Sequence, residues 1–315
     1  MSKSLRHYGP EYFKYRAQII KWIIYDKIVV NEFFKYCGRA KLITRELLLS
    51  FLSQKKFTPS ARYYRLRILR AFCWYMHQID QRHFIPGDRF LRKPKSKFKP
   101  HIFTKDEVIQ MMSYARNKLW KGPQRLVVPA VYETVIGLMW ATGMRIREVV
   151  DLNLGDIDFN RNCLIIRKTK FYKSRLIPLH PSTLFALQKY IDERNSFNFP
   201  KRPDCPLFFN WRMRGTKRGR YTVDAFHHKI HEIIVMLDIR GPTGKFARPY
   251  DLRHSFATNK FAEIYDGKDA VLRLPLIATY MGHAKLSYTQ TYLHPKTETL
   301  AKLGKNFLAY FEGAI

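Results

Sequence analysis

Two domains, mainly α-helical with one small antiparallel β-sheet, are what this sequence of 315 residues predicts. Three observations carry that expectation. Apolar residues recur at helical intervals over most of the chain, while only short stretches near 163–166 and 175–179 read as strands. The length exceeds what a single core usually organises. Positive charge is unevenly divided: residues 1–100 hold 23 Lys and Arg against 6 Asp and Glu (+17), and residues 101–315 hold 34 against 19 (+15), so the first third is about twice as dense in charge.

In chain order, 11–85 reads as helical, with apolar residues at Ile19, Ile20, Ile23 and Ile24 and again at Val29, Val30, Phe33 and Phe34. Thr58-Pro59 opens a further helix with a capping hydroxyl followed by proline in the first turn. Leu66, Leu69, Phe72, Cys73, Met76 and Ile79 line one side of it, and Arg62, Arg65 and Arg70 fall largely elsewhere. Pro86-Gly87 breaks the helical pattern. Lys93, Lys95, Lys97 and Lys99 then alternate around Pro94 and Pro100, an extended basic strap that either lies along a nucleic-acid backbone or simply connects. These features divide the chain into a helical domain (1–90), a basic linker (91–102) and a second domain (103–315).

The second domain opens on a capping box, Thr104 to Glu107, ahead of Val108, Ile109, Met111 and Met112. Helices follow to about 153. The window Leu126–Met144 is the most apolar, but Pro129 and Glu133 interrupt it, so it reads as a buried helix and not a membrane span. Cys163–Ile166 and Arg175–Leu179 form a hairpin about the turn 168–174, and Leu207-Phe208-Phe209 is expected to add a third strand. Arg212–Arg220 is a basic, glycine-containing loop. Helices are expected again at 222–237, 251–265 and 274–282, with an amphipathic tail from about 298.

The net charge, 57 Lys and Arg against 25 Asp and Glu, is +32. Such an excess makes sense against a polyanion, and nucleic acid is the natural candidate. No basic amphipathic helix or lipidation motif points to a membrane. Cys37, Cys73, Cys163 and Cys205 form no close pair, which suits reduced thiols in the cytoplasm, and Met-Ser-Lys-Ser-Leu-Arg lacks an apolar signal core. His227 and His231 share a helix face with His228 nearby, yet no Cys or carboxylate set completes a zinc site. Asp156 and Asp158 read as a turn before the hairpin, not as ligands for Mg²⁺. No cofactor is expected.

Two stretches of the last third belong together: Tyr250-Asp-Leu-Arg253-His254, and Met281-Gly282-His283 followed by Tyr292-Leu-His294. A guanidinium grips nonbridging phosphate oxygens with a planar fork, an imidazole donates to them, and a phenol oxygen can become a covalent nucleophile. Thr142-Gly-Met-Arg145-Ile-Arg-Glu148 supplies another arginine with a glutamate three residues on.

Together these motifs resemble the tyrosine recombinase (phage integrase-like) family, with specific motifs over about 100–300. By that resemblance Arg145 and Arg253 are the two phosphate clamps, His283 is a hydrogen-bond donor and Tyr292 is the nucleophile, with Tyr280 and Tyr288 as local rivals. Matching back from Arg175-Leu-Ile-Pro-Leu179 makes Lys170 the general acid, with Lys168 and Lys173 near enough to compete. Most members have histidine where this chain has Tyr250, and a phenol, with a free pKa of about 10, is a poor base near neutral pH. The family's fold implies a C-shaped clamp closing around duplex DNA. Its chemistry implies a 3′-phosphotyrosine intermediate without metal or ATP, and its members usually act as tetramers on two sites, at times with sister recombinases. The stretch 169–182 looks most like recombinases of transposons and other mobile elements. The regional charge marks Arg62, Arg65, Arg70, Lys93, Lys95, Lys97, Lys99, Arg218 and Arg220 as DNA contacts. A type IB topoisomerase-like enzyme and a catalytically inactive DNA-binding relative are the alternatives; Tyr250 alone favours the latter. A nucleoid-associated cytoplasmic location follows.

Overall fold

The computed structural model describes residues 3–19, 24–94, 99–118, 127–167, 174–197, 199–210, 219–265 and 270–282. The chain divides into two compact units, Met1–Phe98 and Lys99–Ile315. It is mainly helical, with one three-stranded antiparallel sheet.

The first unit carries α1 (Gly9–Ile19), α2 (Ile24–Cys37), α3 (Arg45–Leu52) and α4 (Pro59–Ile79). Thr58 begins α4 as its residue type dictates: its hydroxyl accepts from the Ala61 N–H at 3.3 Å, and Pro59 fills the first turn. Leu66, Leu69, Phe72, Cys73 and Met76 then turn inward against Val29, Val30, Phe33 and Phe34 of α2. Ile79, expected on the same side, is 47% exposed, because it is the last residue of α4 and lies past the end of that core. Ile19 and Ile24, at helix ends, are exposed for the same reason. Residues after the proline break still belong to this unit. Phe90 and Leu91 rest on its core, and Arg70 donates to Asp88 and to the Gly87 carbonyl at 2.8 and 2.7 Å.

In the second unit the Thr104 capping box is complete. The Glu107 N–H donates to the Thr104 hydroxyl at 3.2 Å, and the Thr104 N–H donates to the Glu107 carboxylate at 2.7 Å. These bonds start α5 (Lys105–Asn117), which packs on α6 (Val127–Thr142). Val131, Val135, Ile136 and Met139 of α6 are fully buried, so the apolar window is core. Among the described residues no helix is long and apolar enough to cross a membrane. Next come α7 (Ile146–Asp151) and the strands β1 (Ile157–Asp158), β2 (Cys163–Ile166) and β3 (Arg175–Pro178), in the order β1-β2-β3. Leu164 lies opposite Ile177, and Ile166 opposite Arg175.

The third strand therefore comes from 157–158 and not from 207–209. Pro206 cannot donate to a ladder, and the 206–209 segment makes only isolated bridges, Pro206 to Asn153 and Phe209 to Arg220, while Leu207 and Phe208 sink into the core. An element absent from the expectations is α8 (Pro181–Asn195), which buries Leu184, Leu187 and Tyr190 at helical spacing. Then follow α9 (Val223–Met236), capped by Thr222, α10 (Asp251–Tyr265) and α11 (Ala270–Tyr280). Phe256, Ala257, Ile277 and Met281 form a small core of their own that joins α10 to α11. The fully buried Ser255 ties α10 to the start of the unit: its hydroxyl accepts from the Phe103 N–H and donates to the Asp251 carbonyl, both at 2.8 Å.

All four cysteines are free thiols, and burial pushes Cys37 and Cys73 up to about 12, which leaves them unreactive near neutral pH.

Candidate active site

Three arginines from three separate parts of the chain converge on the end of α11 and the two residues after it. Arg175, the first residue of β3, donates from Nε to the Tyr280 carbonyl at 2.9 Å. Arg253, in the first turn of α10, donates from Nη2 to the Met281 carbonyl at 2.6 Å. Arg145, the residue before α7, donates from Nη2 to the Gly282 carbonyl at 3.0 Å. The last carbonyls of a helix have no partner within it and carry its partial negative charge, so guanidiniums are suited to cap them. Arg145 and Arg253, expected together as phosphate clamps, thus meet at the turn that leads directly into His283.

Local structure explains how Arg145 arrives there. The helix α6 ends at Gly143, whose φ of +60° suits glycine, and a Cβ there would collide with the Phe256 ring. The chain reverses in this tight space and presents the Gly143 carbonyl to Nη1 of Arg253 at 2.5 Å. Arg253 therefore spans from the loop before Arg145 to the end of α11, and it is fully buried.

Glu148 organises the other two arginines. Its carboxylate accepts from the Arg145 N–H and Nη1, both at 2.9 Å, and from Nη1 and Nη2 of Arg175 at 2.9 and 2.8 Å. Its side chain is only 8% exposed. Burial by itself would raise its pKa, but the Arg175 fork, Arg175's charge and the Arg145 N–H together hold it down to about 2. Glu148 is thus the carboxylate shared by two guanidiniums.

Arg175 is the residue that sequence reasoning missed, having served there only to mark the second strand. A signal existed. In β3 the residues alternate, and Ile177 is fully buried while Leu176 is 55% exposed, which puts Arg175 in register with the inward face. A cation on that face requires a buried anion, and Glu148 meets it.

Tyr250 stands at the mouth of α10, exposed, with its ring edge-on to His254 at 5.1 Å between centroids. Burial lowers the pKa of His254, in keeping with a packed imidazole. Tyr280, a rival nucleophile, is stacked on Phe256 at 5.4 Å, and burial pushes its phenol up to about 12, so it is poorly placed to attack. Lys170, His283 and Tyr292, with the rivals Lys168, Lys173 and Tyr288 and the tail from 298, lie outside the described residues. Among the described residues no group of His, Cys, Asp and Glu is arranged to hold a metal ion. His227 and His228 are exposed on α9.

Four of the arginines expected on DNA also make bonds within the fold. Arg65 donates to Glu32 at 3.0 and 3.1 Å and lies 4.1 Å over the Phe57 ring. Arg62 donates to the Phe57 carbonyl at 3.0 Å, and Arg70 is held to Asp88 and Gly87. Arg220 donates to the Val150 and Leu152 carbonyls at 2.8 and 3.1 Å and to Asn153. Lys93 and Lys99 are exposed, as is Arg67 of α4, which was not singled out; Lys95, Lys97 and Arg218 lie outside the described residues.

A mainly helical unit in which Arg145, just before α7, and the buried Arg253 of α10 meet at the carbonyls of Gly282 and Met281 is that of a site-specific recombinase. Residues 101–299 match the Phage integrase family, and the chain belongs to it. Two integrase/recombinases of Sinorhizobium fredii are each 30% identical to it: y4rB over 82% of this chain and 82% of the relative, and y4rE over 90% and 89%. The tyrosine recombinase XerD of Rhizobium meliloti is 27% identical over 82% of this chain and 77% of its own. The Tn1549 transposon integrase, solved with circular intermediate DNA, has the same fold at a TM-score of 0.66 and 16% identity, covering 96% of this chain and 99% of that one. XerH recombinase on palindromic difH DNA matches at 0.64 and 21% identity, over 89% and 77% of the two chains.

Proposed function

We propose that this chain cuts and rejoins duplex DNA at specific sites through a 3′-phosphotyrosine intermediate, and that it serves the integration, excision or transposition of a mobile element. The supporting observation is the meeting of Arg145 and Arg253 at the carbonyls of Gly282 and Met281, immediately before His283. Two guanidiniums fixed in one place suit a phosphodiester whose nonbridging oxygens gain charge in the transition state. Similarity to the S. fredii integrase/recombinases favours integration or recombination, and the likeness of the 169–182 stretch to recombinases of mobile elements favours that setting.

In this reading the Tyr292 phenol oxygen attacks phosphorus, the P–O5′ bond breaks, and the electron pair leaves on the 5′ oxygen, which takes a proton from Lys170. His283 and Tyr250 donate hydrogen bonds to the phosphate. With a phenol at position 250, the Tyr292 proton passes to water or to a phosphate oxygen. A 5′ hydroxyl from a partner strand then loses its proton and attacks phosphorus, the bond from phosphorus to the Tyr292 oxygen breaks, and the phenol recovers its electron pair and a proton, so one phosphoester replaces another and no ATP is needed. Arg253 is buried, so it engages a phosphate by exchanging a carbonyl partner for a phosphate oxygen. The two units close on the duplex as a C-shaped clamp. Arg62, Arg70, Lys93, Lys95, Lys97, Lys99 and Arg218 supply phosphate contacts, with Arg67 added, while Arg65 and Arg220 act within the fold. Four chains assemble on two sites.

The test is a nicked suicide substrate carrying the element's end. Incubation followed by denaturation should leave a covalent adduct that maps to Tyr292 and is lost in Tyr292→Phe. Absence of any adduct from the unaltered chain on its own DNA ends would sink the enzyme reading; an adduct on Tyr288 that survives Tyr292→Phe would sink the nucleophile.

A further inference from the structure

We propose that Arg175 is a positioning residue for the cleavage step, acting through Glu148 and the last turn of α11 to hold Arg145 in its phosphate-binding place; this rests on the function proposed above. The geometry is a closed relay. The two terminal nitrogens of Arg175 face the two oxygens of Glu148 at 2.9 and 2.8 Å, a fork-to-fork pair that fixes the carboxylate plane. That plane sets Arg145, which meets Glu148 both by its N–H and by Nη1. The remaining donor of Arg175, Nε, holds the Tyr280 carbonyl two residues before the Gly282 carbonyl that Arg145 holds.

Arg175 itself has little freedom. Its side chain is 10% exposed, its strand is paired to β2 opposite Ile166, and its neighbour on the inward face, Ile177, is fully buried. Gly282 has a φ of +63°, and a Cβ there would lie 2.8 Å from Nη1 of Arg175, so the turn before His283 is moulded against this guanidinium. One side chain of the sheet thereby fixes the carboxylate that orients Arg145 and the backbone turn that Arg145 grips. Lysine cannot replace it, since a single ammonium does not match two carboxylate oxygens and a carbonyl at once.

The test measures single-turnover adduct formation at saturating DNA for the unaltered chain, Arg175→Lys, Arg175→Ala, Arg145→Ala and the Arg145→Ala/Arg175→Ala double variant. Each is run on an ordinary suicide substrate and on one with a methylphosphonate at the scissile position, where a neutral methyl group removes the charge that the arginines balance. Both Arg175 variants should bind DNA with unchanged Kd and cleave the phosphodiester about 10- to 100-fold more slowly, the scale of a misplaced catalytic group. On the methylphosphonate their loss should shrink to within about threefold, and the double variant should be no slower than Arg145→Ala. Equal losses on both substrates, additive losses in the double variant, or full activity of Arg175→Lys would overturn the proposal. If Arg175→Ala does not fold, the Arg175→Lys comparison across the two substrates decides alone. An unaltered chain that forms no adduct refutes the proposed function instead, which keeps the two failures apart.

Discussion

Replacing Glu148 with glutamine leaves two guanidiniums facing one neutral amide in a nearly closed space. The magnitude can be worked in two ways. The carboxylate's pKa falls from the ordinary 4.5 to about 2 in the folded chain. A depressed folded value means that the stabilisation is present above 4.5 and is lost as pH falls toward 2. The difference of about 2.5 pH units, at ~1.36 kcal/mol each, corresponds to about 3 kcal/mol at pH 7. Removing one member of a buried ion pair costs about 3–5 kcal/mol in general, which overlaps that figure. Urea unfolding of the unaltered chain and of Glu148→Gln, followed by tryptophan fluorescence, should therefore differ by about 3 kcal/mol at pH 7. The gap should narrow to roughly half of that near pH 3, where the unfolded chain already binds the proton. A penalty under about 1 kcal/mol at pH 7, or one that stays constant between pH 3 and 7, would refute the view that this carboxylate is held ionised by the two arginines.

Three further outcomes follow from the packing. Gly143→Ala puts a methyl group into the Phe256 ring at a left-handed φ, so a loss of about 2–4 kcal/mol is expected in the same unfolding assay. Ser255→Ala leaves the buried Phe103 N–H without its acceptor, for about 1–3 kcal/mol by urea midpoint; an unchanged midpoint would mean that the 103 segment is not anchored there. Tyr280→Phe keeps the stack on Phe256 and removes only the phenol, so adduct yield on a suicide substrate should stay at the level of the unaltered chain; loss of the adduct would reinstate Tyr280 as a nucleophile.

What was legible in the sequence is what is local. Thr58, Thr104 and Thr222 each cap the helix that their neighbours announce, because a cap is decided within three residues. The hairpin was legible for the same reason. Its third strand was not: β1 is two residues long, and its pairing rests on the chain folding back at 159–162 and not on any apolar run. Leu207-Phe208-Phe209 has strand composition but sits behind Pro206 and fills core, so composition and pairing diverged there. α8 could have been found from the spacing of Leu184, Leu187 and Tyr190. At the site, motifs located Arg145 and Arg253, since each sits in a recognisable stretch. Arg175 escaped because its meaning depends on which face of β3 it occupies and on a glutamate 27 residues away. Arg65 likewise passes for a surface cation until Glu32 and Phe57 are placed beside it.

The charge at the end of α11 has a consequence for how the site meets DNA. Arg145, Arg175 and Arg253 bring three positive charges to one turn, and Glu148 returns one negative charge shared by two of them. The helix C-terminus offsets roughly half a charge more, and only within its last turn. The balance is positive by more than one unit, close to the single charge of a phosphodiester and short of what its transition state develops. An anion would satisfy the donors held by the carbonyls of 280–282 better than those carbonyls do, since hydrogen bonds between two charged groups exceed those to a neutral carbonyl by about 1 kcal/mol or more each. Arg175 keeps its carbonyl and its carboxylate because it is walled in by β3 and Gly282. Arg145, at 34% exposure, is the guanidinium with room to turn toward a phosphate while Glu148 still holds its other edge. Burial sets Arg175 and Arg253 apart from Arg145: both are walled in, and of the three only Arg145 has an open edge.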